Sequence, residues 1–141
     1  MGTTPAMTTF HGSCLCGGVK FELEAAADRI RFCHCDSCKK LSGGGATANI
    51  RATSAEIRIV EGGDLIQTYQ PAEGSAKTFC LACGSNLFGG GWPDSEYCSV
   101  RITTFEEPLG TLPAAHLFVR SLAPWEQLPD DGAARFETTA R

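Results

Sequence analysis

The residue type in this chain that is best suited to chemistry is cysteine, with eight copies in 141 residues. Seven of the eight fall into three short clusters: CLC at 14–16, CHCDSC at 33–38 and CLAC at 80–83. Cysteines spaced this closely occur in disulfides, in redox pairs and in metal sites, and each alternative predicts a different chemistry.

The start of the chain bears on this choice, because disulfides depend on the compartment. The segment MGTTPAMTTFHGS has neither the basic n-region nor the apolar h-region of a signal peptide, so we expect a cytoplasmic protein. In a reducing compartment persistent disulfides are rare, and clustered cysteines are more often metal ligands or catalytic groups. Export would instead predict four bridges from the eight cysteines. The sequence therefore favours zinc, which thiolates bind well.

The spacing within each cluster predicts how the sulfur atoms converge. In CLAC a turn allows Cys80 and Cys83 to reach one ion, which is the commonest spacing in structural zinc sites. In an extended strand, residues i and i+2 point to the same face, so each C-x-C pair presents two sulfurs together. Three such clusters in a short chain predict two zinc ions.

Seven cysteines cannot close two tetrahedral four-thiolate sites, so they divide into a set of three and a set of four. The set at 33–38 is local enough to hold three corners of one ion and leaves one position open, as catalytic zinc sites do: Cys33, Cys35 and Cys38. The other set would close a structural site between the N-terminal strands and the central hairpin: Cys14, Cys16, Cys80 and Cys83. Spacing alone also allows a four-thiolate site made by the cysteines at 14, 16, 33 and 35, which would leave those at 38, 80 and 83 as the second set.

The three histidines and the eighth cysteine are not predicted to be ligands. His34 alternates with Cys33 and Cys35, so in an extended segment it points to the opposite face and packs behind the site. His11 and His116 stand alone in strand-like surroundings and are interpreted as packed or solvated histidines. Cys98 has no neighbouring cysteine and is interpreted as a small buried hydrophobe.

The elements that must position these cysteines are predicted to be short strands. Several segments alternate polar and apolar residues and are separated by glycine or proline turns; they lie at 19–25, 46–52, 55–62, 65–70, 76–80, 96–103 and 116–122. Only 36–41 looks helical. We expect the proline-broken tail LAPWEQLPDDG to lie along the sheet with Trp125 packed in. The sequence predicts one mostly β domain with a core small enough to need metal support.

Composition excludes several classes of function. The formal net charge is −4 and the 12 basic residues are scattered, so neither nucleic acid nor an acidic membrane surface is an expected partner. No apolar run is long enough to span a bilayer. The sequence also lacks a Ser-His-Asp pattern, a phosphate loop and a suggestive carboxylate pair. It makes no prediction about the oligomeric state.

Four segments together resemble a known family: GSCLCGGVKFEL, FCHCDSCKKLSGG, KTFCLACGSNLF and HLFVRSLAPWEQLPDDGAARFE. They are similar to the glutathione-dependent formaldehyde-activating enzymes, also called GFA or CENP-V domain proteins. The resemblance runs from about Phe10 to Phe136, so 1–141 is expected to be a single domain of this type with its core at about 10–136. It implies a β-tent of short antiparallel sheets with little helix. It also implies a structural zinc on the four-cysteine set and a second zinc on the three-cysteine set.

For function, the resemblance implies a carbon–sulfur lyase. A thiol entering an open zinc site would lose its proton and, as a thiolate, add reversibly to formaldehyde or another small aldehyde. The expected partners are thus a small thiol, with glutathione one candidate, and a small aldehyde. Basic side chains and exposed N–H groups that follow the open site are predicted to contact the substrate carboxylates: Lys39, Lys40, Ser42, Gly43 and Gly44, with Gly45 completing the loop.

Two alternatives come from other classes. EYCSVRITTF has some likeness to the catalytic segment of B-type methionine sulfoxide reductases, in which case Cys98 would be the nucleophile. The chain could instead be a non-enzymatic zinc-supported binding module or thiol carrier. In that case a fourth ligand, such as His34 or a partner residue, would close the 33/35/38 site.

Overall fold

Short β-strands linked by tight turns make up most of the fold. The structure is a computed structural model and describes residues 7–139, so the parts of the predicted 1–141 domain at residues 1–6 and 140–141 lie outside the described residues. The strands are β1 (Thr8–Ser13), β2 (Lys20–Ala25), β3 (Ile30–Cys33), β4 (Thr47–Thr53), β5 (Ile57–Glu61), β6 (Ile66–Tyr69), β7 (Lys77–Cys80), β8 (Asn86–Gly89), β9 (Tyr97–Arg101), β10 (Ala115–Leu117) and β11 (Ala134–Arg135). Within residues 7–139 the one α-helix is α1 (Asp36–Ser42), and five 3₁₀ turns complete the elements: Ala27–Arg29, Ser54–Glu56, Gly63–Leu65, Ile102–Thr104 and Val119–Ser121.

The strands form two sheets. The smaller has the order β1-β2-β5, and the larger has the order β11-β10-β3-β4-β9-β8-β7-β6. The prediction of a mostly β fold with little helix is confirmed. One detail differs from the antiparallel expectation: β10 pairs in parallel with both β3 and β11. It does so because the chain crosses over the sheet between β9 and β10 instead of turning back in a hairpin.

Alternation along the central strands gives the larger sheet two distinct faces. Ile50 of β4 and Val100 of β9 are paired and fully buried in the core. Their neighbours Asn49 and Arg101, also paired with each other, point to the opposite face. Because residues i and i+2 share a face, Cys33 at the end of β3 lies on this polar face, paired with Thr47. The sheet therefore separates an apolar core from a polar functional face.

The core lies between the two sheets. Phe21 from the small sheet packs edge-on against Phe88 from the large one, with ring centroids 4.9 Å apart. Cys14 and Cys80 belong to the same buried cluster, so the core extends directly to the first cysteine site. A methyl group on Gly12 would lie 2.1 Å from the Phe21 ring, and only glycine fits there. No helix among residues 7–139 is long and apolar enough to cross a membrane.

Two predictions about the C-terminal part are wrong. The strand expected at 116–122 ends at Leu117, because Phe118 takes a left-handed conformation with φ of 59° and a 3₁₀ turn follows. Trp125 is not packed in: 72% of its surface is exposed. The neighbouring Glu126 turns inward, where it accepts hydrogen bonds from the Ala123 N–H and from Lys39 Nζ. An inward carboxylate at 126 leaves the adjacent indole facing outward.

Candidate metal centres

The first candidate centre joins the CLC and CLAC clusters. The sulfur atoms of Cys14, Cys16, Cys80 and Cys83 all lie within 4.8 Å of one another. The Sγ atoms of Cys14 and Cys16 are 3.5 Å apart, and those of Cys16 and Cys80 are 3.9 Å apart. Zinc–sulfur bonds of about 2.3 Å in a tetrahedron place sulfurs about 3.8 Å apart, so this donor set fits a zinc ion.

Local hydrogen bonds orient the sulfurs of this centre. The Val19 N–H donates to Cys14 Sγ at 3.2 Å. Ser85 links the two clusters, because its hydroxyl accepts from the Leu15 N–H at 2.8 Å and its proton is then directed to Cys83 Sγ at 3.3 Å. This hydroxyl is the main cause that lowers the pKa of Cys83 to about 5. These hydrogen bonds favour the thiolate form of the two sulfurs that receive them, Cys14 and Cys83.

The second candidate centre is made by Cys33, Cys35 and Cys38, whose sulfurs also lie within 4.8 Å of one another. Cys33 ends β3, Cys35 caps the N-terminus of α1, and Cys38 lies in its first turn. The Cys38 N–H donates to Cys35 Sγ at 3.4 Å, so the helical turn itself brings these two sulfurs together. The structure groups the seven cysteines as four plus three, and the alternative division 14/16/33/35 is wrong.

Crowding of the three thiols separates their pKa values. Hydrogen bonds from Cys33 and then Cys38 lower the pKa of Cys35 to about 2, whereas hydrogen bonding to Cys35 and then Cys38 raises that of Cys33. A negative charge on one sulfur thus opposes ionisation of the other two, since three negative charges cannot share so small a space unaided. A dication would relieve that repulsion, and the three-sulfur set fits zinc on this ground.

His34 lies behind this centre, as predicted for a residue that alternates with Cys33 and Cys35. Its ring is buried, with Nδ1 hydrogen-bonded to the Gly45 carbonyl at 3.0 Å. Its Nε2 lies 2.9 Å from Nδ1 of His116, whose Nε2 lies 2.8 Å from Asp131 Oδ2. Both ring nitrogens of His34 are thus engaged away from the sulfurs, and His34 belongs to neither metal-ligand group.

A cavity of about 710 Å³ opens beside the three cysteines on the polar face of the large sheet. Its walls carry two acidic residues, Asp36 and Glu73, and five basic residues: Arg31, Arg51, Lys77, Arg101 and Arg120. Arg51 lies over the Tyr97 ring at 4.4 Å, which holds its guanidinium at the cavity wall. The excess of positive charge suits an anionic ligand.

Sequence reasoning missed these basic residues. The alternation of β4 and β9 does place Asn49, Arg51 and Arg101 opposite the apolar positions, which is a signal that the sequence contains. That signal becomes useful only with the pairing of β4 to β3, which brings the same face to Cys33.

The predicted substrate-contact residues lie elsewhere. Lys39 Nζ pairs with Glu126 Oε2 at 3.2 Å and donates to the Ser121 carbonyl, which holds it beneath the C-terminal tail. The cavity beside the three cysteines is lined by none of the five: Lys39, Lys40, Ser42, Gly43 and Gly44. Ser42 and Gly44 instead line a second cavity of about 690 Å³, which Cys14 of the four-cysteine centre also lines. Their contact with a substrate stays a prediction.

Cys98 is buried in the core, with 3% of its surface exposed, and burial is the main cause that raises its pKa. Cys98 is among the residues around the 710 Å³ cavity, but a buried thiol whose pKa is raised is a poor nucleophile, so the structure disfavours the sulfoxide-reductase alternative. His11 is exposed and hydrogen-bonds to Glu107, and it belongs to neither metal-ligand group.

Comparisons with known proteins bear on these centres. A family model described as "Glutathione-dependent formaldehyde-activating enzyme" matches residues 9–121. A Halomonas elongata protein, provisionally named as such an enzyme, is 32% identical over 95 residues, which span 60% of this chain and 59% of that relative. A crystal structure of a Rhodobacter sphaeroides protein superposes with a TM-score of 0.59 at 22% identity, covering 89% of this chain and 98% of that one. At that identity the likeness shows the fold alone.

Proposed function

Since the chain belongs to the glutathione-dependent formaldehyde-activating enzyme family, we propose that it is a zinc-dependent carbon–sulfur lyase. In this proposal it adds a thiol, glutathione or a similar one, reversibly to formaldehyde or another small aldehyde. The observation that carries the proposal is the three-sulfur centre of Cys33, Cys35 and Cys38 beside a cation-lined cavity. Among residues 7–139 no fourth His, Cys, Asp or Glu side chain joins that group.

The proposal assigns one zinc to each cysteine centre. The four-cysteine centre is closed and structural, and the three-cysteine centre leaves one position for a ligand. When bound there, zinc would supply the positive charge that keeps an incoming thiol deprotonated near neutral pH. The cysteines hold the site, and the cavity beside them leaves room for the incoming thiol.

The bond changes in this reaction balance without a further reagent. The thiolate sulfur attacks the aldehyde carbon, a carbon–sulfur bond forms, and the carbonyl electron pair moves to oxygen, which takes a proton from solvent. The product is an S-hydroxymethyl thiol, and the reverse step breaks the same bond. Basic side chains such as Arg51 and Lys77 orient the substrate through its carboxylates.

The size of the cavity agrees with a substrate of this class. About 710 Å³ lies within the range of pockets that enclose small organic ligands, so a thiol the size of a tripeptide fits. Formaldehyde alone would need far less space. The excess volume and charge therefore support a thiol with carboxylates as the larger substrate.

The reaction can be tested by following S-hydroxymethyl thiol formation from glutathione and formaldehyde above the spontaneous rate. We expect Cys35→Ala to abolish the catalysed rate, because it removes one of three ligands, while Cys98→Ala keeps it. Metal content of each variant is measured in parallel. Equal rates for the wild type and Cys35→Ala would refute the proposal.

A thiol carrier is the second candidate, because the same cavity could bind an anionic thiol without turning it over. Equilibrium binding of glutathione to the wild type with no acceleration of adduct formation by any tested aldehyde would favour the carrier. Multiple turnovers that depend on the three cysteines would favour the lyase.

A further inference from the structure

Arg101, at the end of β9 on the polar face of the large sheet, is a buried cation with 4% of its surface exposed. Among residues 7–139 no carboxylate lies within ion-pairing distance of its guanidinium. A buried charge is costly unless an opposite charge compensates it, so the fold must place negative charge nearby.

Two asparagines fix the position of this guanidinium. Arg101 Nη1 donates to Asn49 Oδ1 at 2.5 Å, and Nε donates to Asn86 Oδ1 at 3.2 Å. Because a guanidinium only donates, both amide oxygens must face it. In consequence Asn86 Nδ2 is a buried donor with no partner within residues 7–139. Leaving such a donor unpaired is unfavourable, so the orientation of Arg101 is retained at a cost in stability.

A glycine provides the room for Arg101. A methyl group on Gly89 would lie 2.7 Å from Arg101 Nη2. Gly89 and Arg101 line the cavity that contains the three cysteines. The guanidinium therefore lies in that cavity's wall, on the same face of the sheet as Cys33.

A directed chain of hydrogen bonds runs from Arg101 towards the three-cysteine centre. With its oxygen turned to Arg101, Asn49 donates through Nδ2 to Thr47 Oγ1 at 2.9 Å. The hydroxyl proton of Thr47 is then free to point at that centre, because Thr47 lies on the polar face and pairs with Cys33 across β3 and β4. Each link donates in the same direction, so the chain presents a positive hydrogen to the sulfurs of the centre.

The charge of the second centre completes the argument. Three thiolates around a dication carry a net charge of −1, and that charge needs a counter-ion on the protein side. Of the five basic residues that line this cavity with the three cysteines, Arg101 is the buried one.

We propose that Arg101 is the counter-ion and positioning residue of the three-cysteine centre: it neutralises the charged site and, through Asn49 and Thr47, orients the sulfurs of that centre. The inference rests on the metal of the proposed function but not on the proposed reaction. It assigns Arg101 a part in metal retention at one centre only. The four-cysteine centre, which has its own hydrogen bonds from Val19 and Ser85, serves as an internal control.

The test is a metal competition on the purified full chain with a chromophoric chelator, together with cobalt(II) substitution to follow each centre by its thiolate absorption. The wild type is expected to hold two ions per chain in distinguishable affinity classes. One ion only would refute the proposed second metal site, and with it the inference. Two ions allow the role of Arg101 to be judged separately.

With two ions in the wild type, Arg101→Gln should weaken binding at the three-cysteine centre by about ten- to a hundred-fold, which is the usual effect of losing a residue behind the ligands. Arg101→Lys keeps the positive charge but not the planar set of guanidinium N–H donors. Its metal affinity at the three-cysteine centre should lie between those of Arg101→Gln and the wild type. Arg51→Gln removes another basic residue of the same cavity, one whose guanidinium lies over the Tyr97 ring. It should leave the metal affinities of both centres within about two-fold of the wild-type values. Equal losses at both centres, or none, would overturn the proposal.

Thr47→Val keeps the inference testable if Arg101→Gln does not fold. It removes the hydroxyl at the cysteine end of the hydrogen-bond chain without changing the charge or the shape of the side chain. We expect weaker metal binding and an altered cobalt spectrum at the three-cysteine centre, with the other centre unchanged. A spectrum and affinity identical to the wild type would contradict the positioning role.

Discussion

The Sγ atoms of Cys16 and Cys80 lie 3.9 Å apart although the residues are 64 positions apart in sequence. One follows β1 in the small sheet, and the other ends β7 in the large sheet. A metal ion between them would join the two sheets at the edge of the core, where Cys14 and Cys80 are themselves buried. Metal binding at this centre and folding are therefore expected to be the same equilibrium.

Removal of that metal should unfold the protein. Structural zinc sites contribute about 10–16 kcal/mol, which is comparable to the whole stability of a domain of this size, at about 5–15 kcal/mol. We expect a strong chelator to abolish the cooperative thermal transition followed by circular dichroism, and zinc to restore it. Cys80→Ser should behave like the chelated protein without any chelator. An unchanged melting temperature after complete metal removal would contradict the structural role.

Substitution at the three-cysteine centre should affect function more than stability. Cys35 is the N-cap residue of α1, and a metal ion at this centre would join residues that are already neighbours in the chain, so it would constrain the unfolded chain little. We expect Cys35→Ala to lose one metal ion and catalysis but to keep a cooperative transition. A loss of folding as complete as that of Cys80→Ser would show that both centres are structural.

Cys98→Ala tests the alternative nucleophile. The Cys98 thiol is buried against the core, so its removal leaves a small cavity and should cost about 1 kcal/mol. Lyase activity per folded molecule should be unchanged, as should both metal ions. Loss of all activity in a variant that retains two metal ions would return the Cys98 hypothesis to consideration.

The cysteine division could be predicted from the sequence because it depends on local geometry. Cys33, Cys35 and Cys38 are close enough in the chain for one turn to bring their sulfurs together. Once these three form one site, the remaining four cysteines form the other. The segments that alternate polar and apolar residues likewise predicted most of the strands, since a period of two residues is a property of the strand itself.

The charged wall of the cavity could not be predicted because it depends on strand order. Arg101 reaches the face of Cys33 only through β4, which pairs with β3 on one side and β9 on the other. The parallel pairing of β10 and the exposure of Trp125 were missed for a related reason. In each case a contact between distant segments, such as Lys39 with Glu126, overrides what the local sequence favours.

A pH-dependent contact between β1 and a distant loop is expected at His11. The side-chain hydrogen bond to Glu107 is the main cause that raises the pKa of His11, and the His11 N–H is the main cause that lowers the pKa of Glu107. The contribution of His11 to stability is thus complete below about pH 6.5 and disappears as the pH rises through its folded pKa. That of Glu107 is present above about pH 4.5 and disappears as the pH falls through its own.

NMR titration of the His11 ring proton measures this contact. Its midpoint should lie above 6.5 in the wild type and move down towards 6.5 in Glu107→Gln. Glu106→Gln, whose carboxylate acts only through space, should shift the midpoint less. A midpoint that is the same in the wild type and Glu107→Gln would show that the pair does not form in solution.

The charge of the cavity should select the thiol substrate. Arg51→Gln and Lys77→Gln each remove one charged contact, so we expect KM for glutathione to rise about three- to ten-fold, or roughly 1 kcal/mol per contact, with kcat little changed. A neutral thiol such as 2-mercaptoethanol should show no such rise, because it has no carboxylate to lose. Arg58→Gln is the matched control, since Arg58 pairs with Glu22 on the small sheet outside this cavity. Equal increases in KM for the charged and the neutral thiol would mean that these residues shape the site without recognising charge.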